Sequence, residues 1–181
     1  FFSTSFNLFC LAYKFIIAKK AIRLNRKKIL KFYREHSIKD LPQVTTQLPV
    51  FNEANCVERL LDAVCAIDYP KDKHEIQVLD DSTDECYEVA KKKVAELAAK
   101  GYDIKLIHRT NRKEFKAGAL KEAMAVAKGE FLAIFDADFV PEKDFLLKTI
   151  PYLVMDDQIG LVQGRWGHLN RTESGLTLAQ S

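Results

Sequence analysis

Hydrophobic and polar positions from residue 41 onward alternate between the period of a strand and the period of a helix. Segments with the extended pattern are bounded by turn residues, and segments with the helical pattern separate them. The predicted strands are residues 44–50, 75–79, 104–107 and 131–135. Because strands alternate with helices, we predict an open, mostly parallel α/β sheet that is flanked by helices. The fourth strand is entirely apolar, and we expect it to be central and buried on both faces.

The three predicted helices each carry one apolar stripe. Asn52 or Asn55 is expected to cap the first helix, and Ser82 or Thr83 the second. The third helix is expected to continue until Gly129. The stripes are Val57, Leu60, Leu61 and Val64 in the first helix, Tyr87, Ala90, Val94, Leu97 and Ala98 in the second, and Leu120, Ala123, Met124 and Ala127 in the third.

Residues 1–34 form a segment with a different pattern. Residues 1–18 are rich in Phe, Leu and Ile, and a run of Lys and Arg follows directly. We interpret the segment as the end of a transmembrane helix whose start is missing, followed by a basic juxtamembrane stretch. By the positive-inside rule, this places the domain of residues 41–181 on the cytoplasmic side of the membrane. The alternative is an amphipathic helix that lies on the membrane surface or packs on the domain.

The charge of the chain is unevenly distributed. Nine Lys and Arg residues lie between Lys14 and Arg34, and no acidic residue precedes Glu35. The other 19 basic and the 25 acidic residues give the rest of the chain a net charge of about −6. A groove for nucleic-acid phosphates needs basic residues spread across the fold, so we expect no nucleic-acid partner.

The cysteines and histidines show no metal-ligand spacing. The four cysteines form no CxxC pair. We interpret them as reduced thiols, which suits a cytosolic compartment. The four histidines are scattered singly along the chain, and we interpret them as structural or exposed.

Charged residues follow the predicted strands directly. Asp80 and Asp81 end the second strand, Asp136 and Asp138 follow the fourth, and Lys116 lies at the start of the third helix. In open parallel sheets, ligands bind beyond the carboxyl ends of the strands. Two carboxylates one residue apart can both reach a hard divalent cation, which would stabilise a diphosphate as a leaving group. The helix amino terminus with its lysine also favours phosphate.

In combination, these motifs resemble those of the family 2 glycosyltransferases, the cellulose and mannan synthase-like branch in particular. The resemblance extends from about Thr45 to Trp166 and depends on the segments PVFNE, VLDDSTD, KAGAL, FDADFVP and VQGRW. It implies a Rossmann-like GT-A fold, a UDP- or GDP-sugar donor, Mg²⁺ or Mn²⁺, and inversion at the anomeric carbon. It further implies that a membrane-attached enzyme transfers a hexose to a growing polysaccharide, or to a lipid acceptor as the main variant.

The resemblance also implies site residues, position by position. The segment that contains Phe51 and Glu53 resembles the part of the family that contacts the nucleobase, as does Asp80. The implied donor-binding residues are Phe51, Glu53, Asp80, Asp81, Lys116, Gly118 and Asp136, the metal ligands are Asp136 and Asp138, and the acceptor-side residues are Gln163, Arg165 and Trp166.

Two motifs of the family are not matched in this chain. The general base of the family is an acidic residue in a TED-type motif, which we expect downstream of Ser181. Residues 163–166 look like the family's Q/RxxRW motif, but only one residue separates Gln from Arg and the segment comes too early. An inverting reaction needs a base that accepts the proton of the acceptor hydroxyl. We therefore expect this chain to bind nucleotide weakly and to transfer no sugar.

Two alternatives stand beside this interpretation. An apolar strand followed by DxDxV also resembles the nucleophile motif of haloacid-dehalogenase phosphatases, in which Asp136 would be phosphorylated and Asp138 would act as acid and base. In that family the motif follows the first strand, whereas here it follows the fourth. The other alternative is a non-catalytic, transferase-like binding subunit.

Overall fold

The computed structural model describes residues 2–164, with side chains for Tyr13, Ile17 and every residue from Lys19 to Gly164. After the first helix, four strands alternate with four further helices in this part of the chain, together with two short 3₁₀ turns at Ile38–Asp40 and Lys71–Lys73. In chain order the elements are α1 Phe2–Glu35, β1 Val44–Val50, α2 Ala54–Cys65, β2 His74–Asp80, α3 Cys86–Ala99, β3 Asp103–His108, α4 Phe115–Met124, β4 Phe131–Ile134 and α5 Phe145–Met155.

The four strands form one parallel sheet in the order β3-β2-β1-β4. Val44 of β1 lies opposite His74 of β2 and Phe131 of β4. At the other end of the sheet, Val50, Asp80 and His108 are register partners on neighbouring strands. Parallel strands end at the same edge, so the loops that follow β1, β2 and β3 meet there. The predicted parallel α/β fold is confirmed.

The main core lies between one face of the sheet and the helices. All four stripe residues of α2 are fully buried, which confirms the helical period predicted there. The stripe of α3 is buried at Ala90, Val94 and Leu97, whereas Ala98 is exposed. A second, smaller cluster of Leu79, Ala119 and Ala123 lies where α4 contacts β1 and β2. Three free cysteines, Cys56, Cys65 and Cys86, are present in the described part of the chain.

The prediction for β4 is wrong. Within residues 2–164, β4 pairs only with β1 and forms the edge of the sheet. Leu132 is 38% exposed and Ile134 is 48% exposed, so only one face of the strand is covered. An apolar run indicates that a strand can be buried. It does not show whether both faces of the strand are covered or which segment of the chain covers them.

The helix termini also differ from the predicted ones. Glu53 and Glu85 are the N-cap residues of α2 and α3, and neither side chain forms a capping hydrogen bond. α4 ends at Met124, which is 55% exposed, and does not continue to Gly129. Gly129 instead lies against the start of β1, where an added Cβ would be 2.3 Å from the Thr45 nitrogen.

The first helix is joined to the domain near its carboxyl end. Phe32 is 2% exposed, and the Tyr33 hydroxyl donates to the Leu147 carbonyl of α5 at 2.9 Å. Between residues 2 and 164, no helix is both long enough and apolar enough to span a bilayer.

Candidate functional site

The loops at the carboxyl edge of the sheet are joined through backbone and side-chain hydrogen bonds. The Asp81 amide donates to the Val50 carbonyl at 3.0 Å, and the Arg109 amide donates to the Asp80 carbonyl at 2.9 Å. These bonds continue the pairing of β1 with β2 and of β2 with β3 into the loops. The residues that follow the first three strands are therefore fixed relative to one another.

Asn52 connects the first two of these loops. Its amide donates to Ser82 Oγ at 2.9 Å, and its Oδ1 accepts from the Thr83 amide at 2.9 Å. Asn52 has a φ of 53°, in the left-handed region that Asn tolerates better than most residues. Asn52, Ser82 and Thr83 were predicted as helix caps. They bind each other because the two loops lie side by side at the sheet edge.

Asp80 is fully buried at the end of β2. Its Oδ2 lies 2.6 Å from His108 Nδ1, and its Oδ1 accepts from the Ser82 amide at 3.4 Å. The His108 ring packs against Tyr87, with 4.3 Å between the ring centroids. His108 was predicted to be structural or exposed, although its position at the end of β3 could have indicated a role in the site.

Asp81 is also buried, and Arg109 engages both of its carboxylate oxygens. Arg109 Nε donates to Oδ1 at 2.8 Å, and Nη2 donates to Oδ2 at 2.7 Å. The hydrogen bonds to Asp81 raise the pKa of the Arg109 guanidinium above its ordinary value. Asp81 was predicted to contact the donor, and the structure shows its carboxylate already occupied by Arg109.

Lys116 and Asp136 come from different motifs and form an ion pair between Lys116 Nζ and Asp136 Oδ1. Both side chains are about half exposed, at 51% and 47%. Asp138 is exposed, and its carboxylate accepts no hydrogen bond from another residue in the range 2–164. The lysine of the first α4 turn thus contacts the first of the two carboxylates that follow β4.

The described residues contain no group of three or more His, Cys, Asp or Glu side chains that could hold a metal ion. Asp136 and Asp138 remain as two accessible carboxylates at one strand end. Mg²⁺ in phosphate-transfer sites is commonly held by one or two carboxylates together with substrate phosphates. The two residues therefore fit a cation that binds jointly with a diphosphate, and they do not form an all-protein cage.

Phe51 is partly exposed and is covered by an arginine. The Arg112 guanidinium carbon lies 3.4 Å from the centroid of the Phe51 ring, a cation–π arrangement. Arg112, Glu114 and Phe115 have φ values of 41°, 59° and 48°. Together with Asn52, they are the non-glycine residues with positive φ in the described part of the chain. Such backbone strain clusters at functional sites.

Gly118 is required by the packing of this loop. A Cβ at this position would lie 2.0 Å from the Lys113 carbonyl oxygen and 3.0 Å from Arg109 Nη1. The loop can therefore rest on the first turn of α4 only because residue 118 has no side chain. In the structure Gly118 has a packing role, and its predicted contact with a donor stays a prediction.

The remaining predicted residues lie at the periphery of this site or outside the described range. The Glu53 side chain is exposed at the start of α2 and forms no hydrogen bond with another residue of the described range. Gln163 is exposed near the end of the described range. Arg165 and Trp166 lie outside the residues that the structure describes.

Residues 47–174 match the family described as Glycosyl transferase family 2. The chain belongs to this family. The family assignment agrees with the sheet order and with the strand-end carboxylates. It also shows that the phosphatase alternative is wrong, because Asp136 and Asp138 follow the fourth strand of a family 2 glycosyltransferase fold.

Several similar sequences are plant mannosyltransferases. Probable glucomannan 4-beta-mannosyltransferase 11 of Oryza sativa subsp. japonica is 46% identical over 143 residues, which cover 77% of this chain and 25% of the relative. Glucomannan 4-beta-mannosyltransferase 7 of Arabidopsis thaliana is 38% identical over 171 residues, which cover 88% of this chain and 31% of the relative. The family 2 chain thus spans about a quarter to a third of the length of these relatives.

Solved structures of glycosyltransferases share the fold. The mannosyltransferase PcManGT from Pyrobaculum calidifontis, in complex with GDP-Man and Mn²⁺, has a TM-score of 0.57 and 30% identity, over 76% of this chain and 43% of that one. Glucosyl-3-phosphoglycerate synthase of M. tuberculosis has a TM-score of 0.50 and 23% identity, over 68% of this chain and 45% of that one. The second similarity shows the fold alone.

Proposed function

We propose that this chain forms the donor-binding part of a metal-dependent glycosyltransferase that transfers a hexose from a nucleotide diphosphate sugar. The observation that carries the proposal is the ion pair between Lys116 and Asp136, with the exposed carboxylate of Asp138 next along the strand end. GDP-mannose is the donor that we favour. The names of the plant relatives and the GDP-Man complex of the archaeal mannosyltransferase support this choice.

In the proposed site, Asp136 and Asp138 would hold Mn²⁺ or Mg²⁺. When bound, the cation neutralises charge on the diphosphate and makes it a better leaving group. Lys116 is positioned to add a second positive charge beside the same phosphates. Phe51 would contact the nucleobase with the part of its ring that Arg112 leaves exposed. Asp80 is fully buried and bonded to His108 and the Ser82 amide, so it would support the nucleobase side of the site through these partners. Glu53 would contact the base from the start of α2.

We propose an inverting reaction, in which a base accepts the proton of the attacking acceptor hydroxyl. The base is expected downstream of Ser181, so we propose that the 181-residue chain binds nucleotide and does not transfer sugar. The acceptor would be a glycan, or a lipid as the variant, and it would bind near Gln163, Arg165 and Trp166. We also propose that the domain lies at the cytoplasmic face of a membrane, to which residues 1–34 attach it.

Isothermal titration of GDP and UDP, with and without Mn²⁺, tests the donor site. We expect GDP to bind the wild-type chain in the presence of Mn²⁺ and to bind more weakly without it. The substitution Asp138→Asn removes one negative charge but keeps the shape of the side chain. We expect it to weaken metal-dependent binding by about tenfold or more, because a carboxylate ligand is lost.

The matched control is Asp72→Asn. Asp72 lies in the 3₁₀ turn that precedes β2, at the opposite end of the sheet, and it is exposed. This variant should bind GDP as the wild type does. The proposal fails if the wild-type chain binds neither nucleotide with Mn²⁺ present, or if Asp138→Asn and Asp72→Asn bind equally well.

A further inference from the structure

We infer that Arg109 is a positioning residue, which holds the loop before α4 so that Lys116 reaches Asp136 after β4. The inference deepens the proposed function and rests on it for the identity of the ligand. Arg109 is itself 7% exposed. It therefore acts through the groups it binds, without contact with a donor.

All five N–H donors of the Arg109 guanidinium have an acceptor. Nε and Nη2 donate to the two oxygens of Asp81, as described above. The second proton of Nη2 reaches the Phe115 carbonyl at 2.9 Å. Nη1 donates to the Lys113 carbonyl at 3.3 Å and to Glu122 Oε1 at 3.1 Å. A lysine has three donors on one atom and cannot reproduce this planar arrangement.

These five bonds connect three parts of the fold. Asp81 follows β2, Lys113 lies in the loop between β3 and α4, and Phe115 and Glu122 belong to α4. Arg109 follows β3, so one buried cation fixes this loop to the neighbouring strand end and to the helix. A buried guanidinium that is shared between two carboxylates is the strong, charge-assisted form of this interaction.

The backbone of the loop needs such a constraint. Glu114 and Phe115 have positive φ, a conformation that is strained for a residue with a side chain. The carbonyl groups that accept from Arg109 belong to Lys113 and Phe115, on either side of Glu114. Arg109 therefore stabilises the strained turn from which α4 starts.

Lys116 follows the strained turn directly and reaches Asp136 from the first turn of α4. Its side chain is half exposed and is not buried by neighbours. The position of its Cα, and hence the reach of its ammonium group, is set by the turn before it. Loss of the Arg109 bonds should therefore move Lys116 away from the strand-end carboxylates.

The test begins with Arg109→Lys, which keeps the charge and loses the bidentate geometry. Arg59→Lys is the matched control, because Arg59 is exposed on α2 and, among the described residues, its guanidinium contacts only Cys56 Sγ, at 3.9 Å. We expect Arg109→Lys to weaken Mn²⁺-dependent GDP binding about tenfold, which is typical of a residue that orients a binding group. Arg59→Lys should leave it unchanged.

A double-substitution cycle separates positioning from general destabilisation. If Arg109 acts through Lys116, then Lys116→Ala and the double variant Arg109→Lys/Lys116→Ala should bind GDP equally weakly. Losses that arise independently would multiply, and the double variant would then bind about tenfold more weakly than Lys116→Ala. This multiplicative result would overturn the inference.

A second readout does not depend on GDP. In NMR spectra of the apo chain, the Lys116 ε-methylene signal should shift in Arg109→Lys toward its position in Asp136→Asn, and it should not shift in Arg59→Lys. An unshifted signal in Arg109→Lys overturns the inference. Absence of GDP binding by the wild-type chain overturns the proposed function instead. In that case the Lys116 NMR signal alone shows whether Arg109 positions Lys116.

Discussion

His74, the first residue of β2, is a buried titratable side chain far from the proposed donor site. Its imidazole Nε2 lies 2.8 Å from Thr46 Oγ1, and the residue is 7% exposed. Burial lowers the pKa of His74 to about 4 from its ordinary value of 6.5, because the charged imidazolium loses its hydration. The folded chain therefore keeps His74 neutral in the range where the unfolded chain protonates it.

This pKa shift predicts a specific loss of stability in acid. Between pH 6.5 and about pH 4 the unfolded chain binds one more proton at His74 than the folded chain does, so stability falls as the pH drops through this range. The contribution is of the order of 3 kcal/mol at pH 4. Urea unfolding at a series of pH values measures the free energy of unfolding. This free energy should fall less steeply with decreasing pH in His74→Gln than in the wild type.

The exposed His36 provides the control for this measurement, as His36→Gln. Between pH 6.5 and pH 4, the free energy of unfolding of this variant should change with pH as that of the wild type does. If the free energy of unfolding changes with pH equally in the wild type and in His74→Gln, His74 does not take up a proton on unfolding. The prediction would then be wrong.

Some residue roles could be predicted from the sequence and others could not. Asp136 and Asp138 were identifiable because acidic residues after an apolar strand have no role in the core, and Lys116 because it lies near a helix amino terminus. Arg109 was missed because a single arginine in a polar loop carries no pattern. Its role follows from its five acceptors, and these come together only after β2, β3 and α4 have packed.

At the scale of elements, the turn before α4 depends on the absence of a side chain at residue 118. Gly118→Ala would place a methyl group 2.0 Å from the Lys113 carbonyl oxygen, so the loop must move away from the helix. We expect a loss of about 1–3 kcal/mol in the free energy of unfolding, which is usual for overpacking of a buried site. Thermal unfolding followed by circular dichroism measures it.

Gly160→Ala is the matched control, because an added Cβ at Gly160 meets no atom of residues 2–164 within 4 Å. This variant should unfold at the wild-type temperature. If Gly118→Ala also unfolds at that temperature and binds GDP normally, the loop does not pack on the first turn of α4 as described.

The elements differ in how well the sequence predicted them. The stripe of α2 is buried as predicted, because four apolar residues at helical spacing can be buried together only in a helix. The caps of α2 and α3 were mispredicted, because Asn52, Ser82 and Thr83 have polar partners in a neighbouring loop as well as in their own. α5 was not predicted, since Pro151 lies inside it.

At the scale of the whole molecule, the sequence predicted the parallel sheet and its functional edge from the order of strands and helices. It did not predict that β4 would lie at the edge of the described sheet. The hydrophobicity of a strand does not show how many neighbouring strands it pairs with. The chain spans about a quarter to a third of the length of its plant relatives. The acceptor side and the general base therefore stay predictions.

The central claim is that the carboxylates after β4 hold a cation that binds a nucleotide diphosphate beside Lys116. Paramagnetic broadening by Mn²⁺ in amide NMR spectra of the wild-type chain with GDP tests this most directly. We expect broadening that is centred on Asp136 to Asp138, extends to Lys116 and Gly118, and is absent at Asp72. Broadening centred on other carboxylates, or none at the β4 strand end, would contradict it.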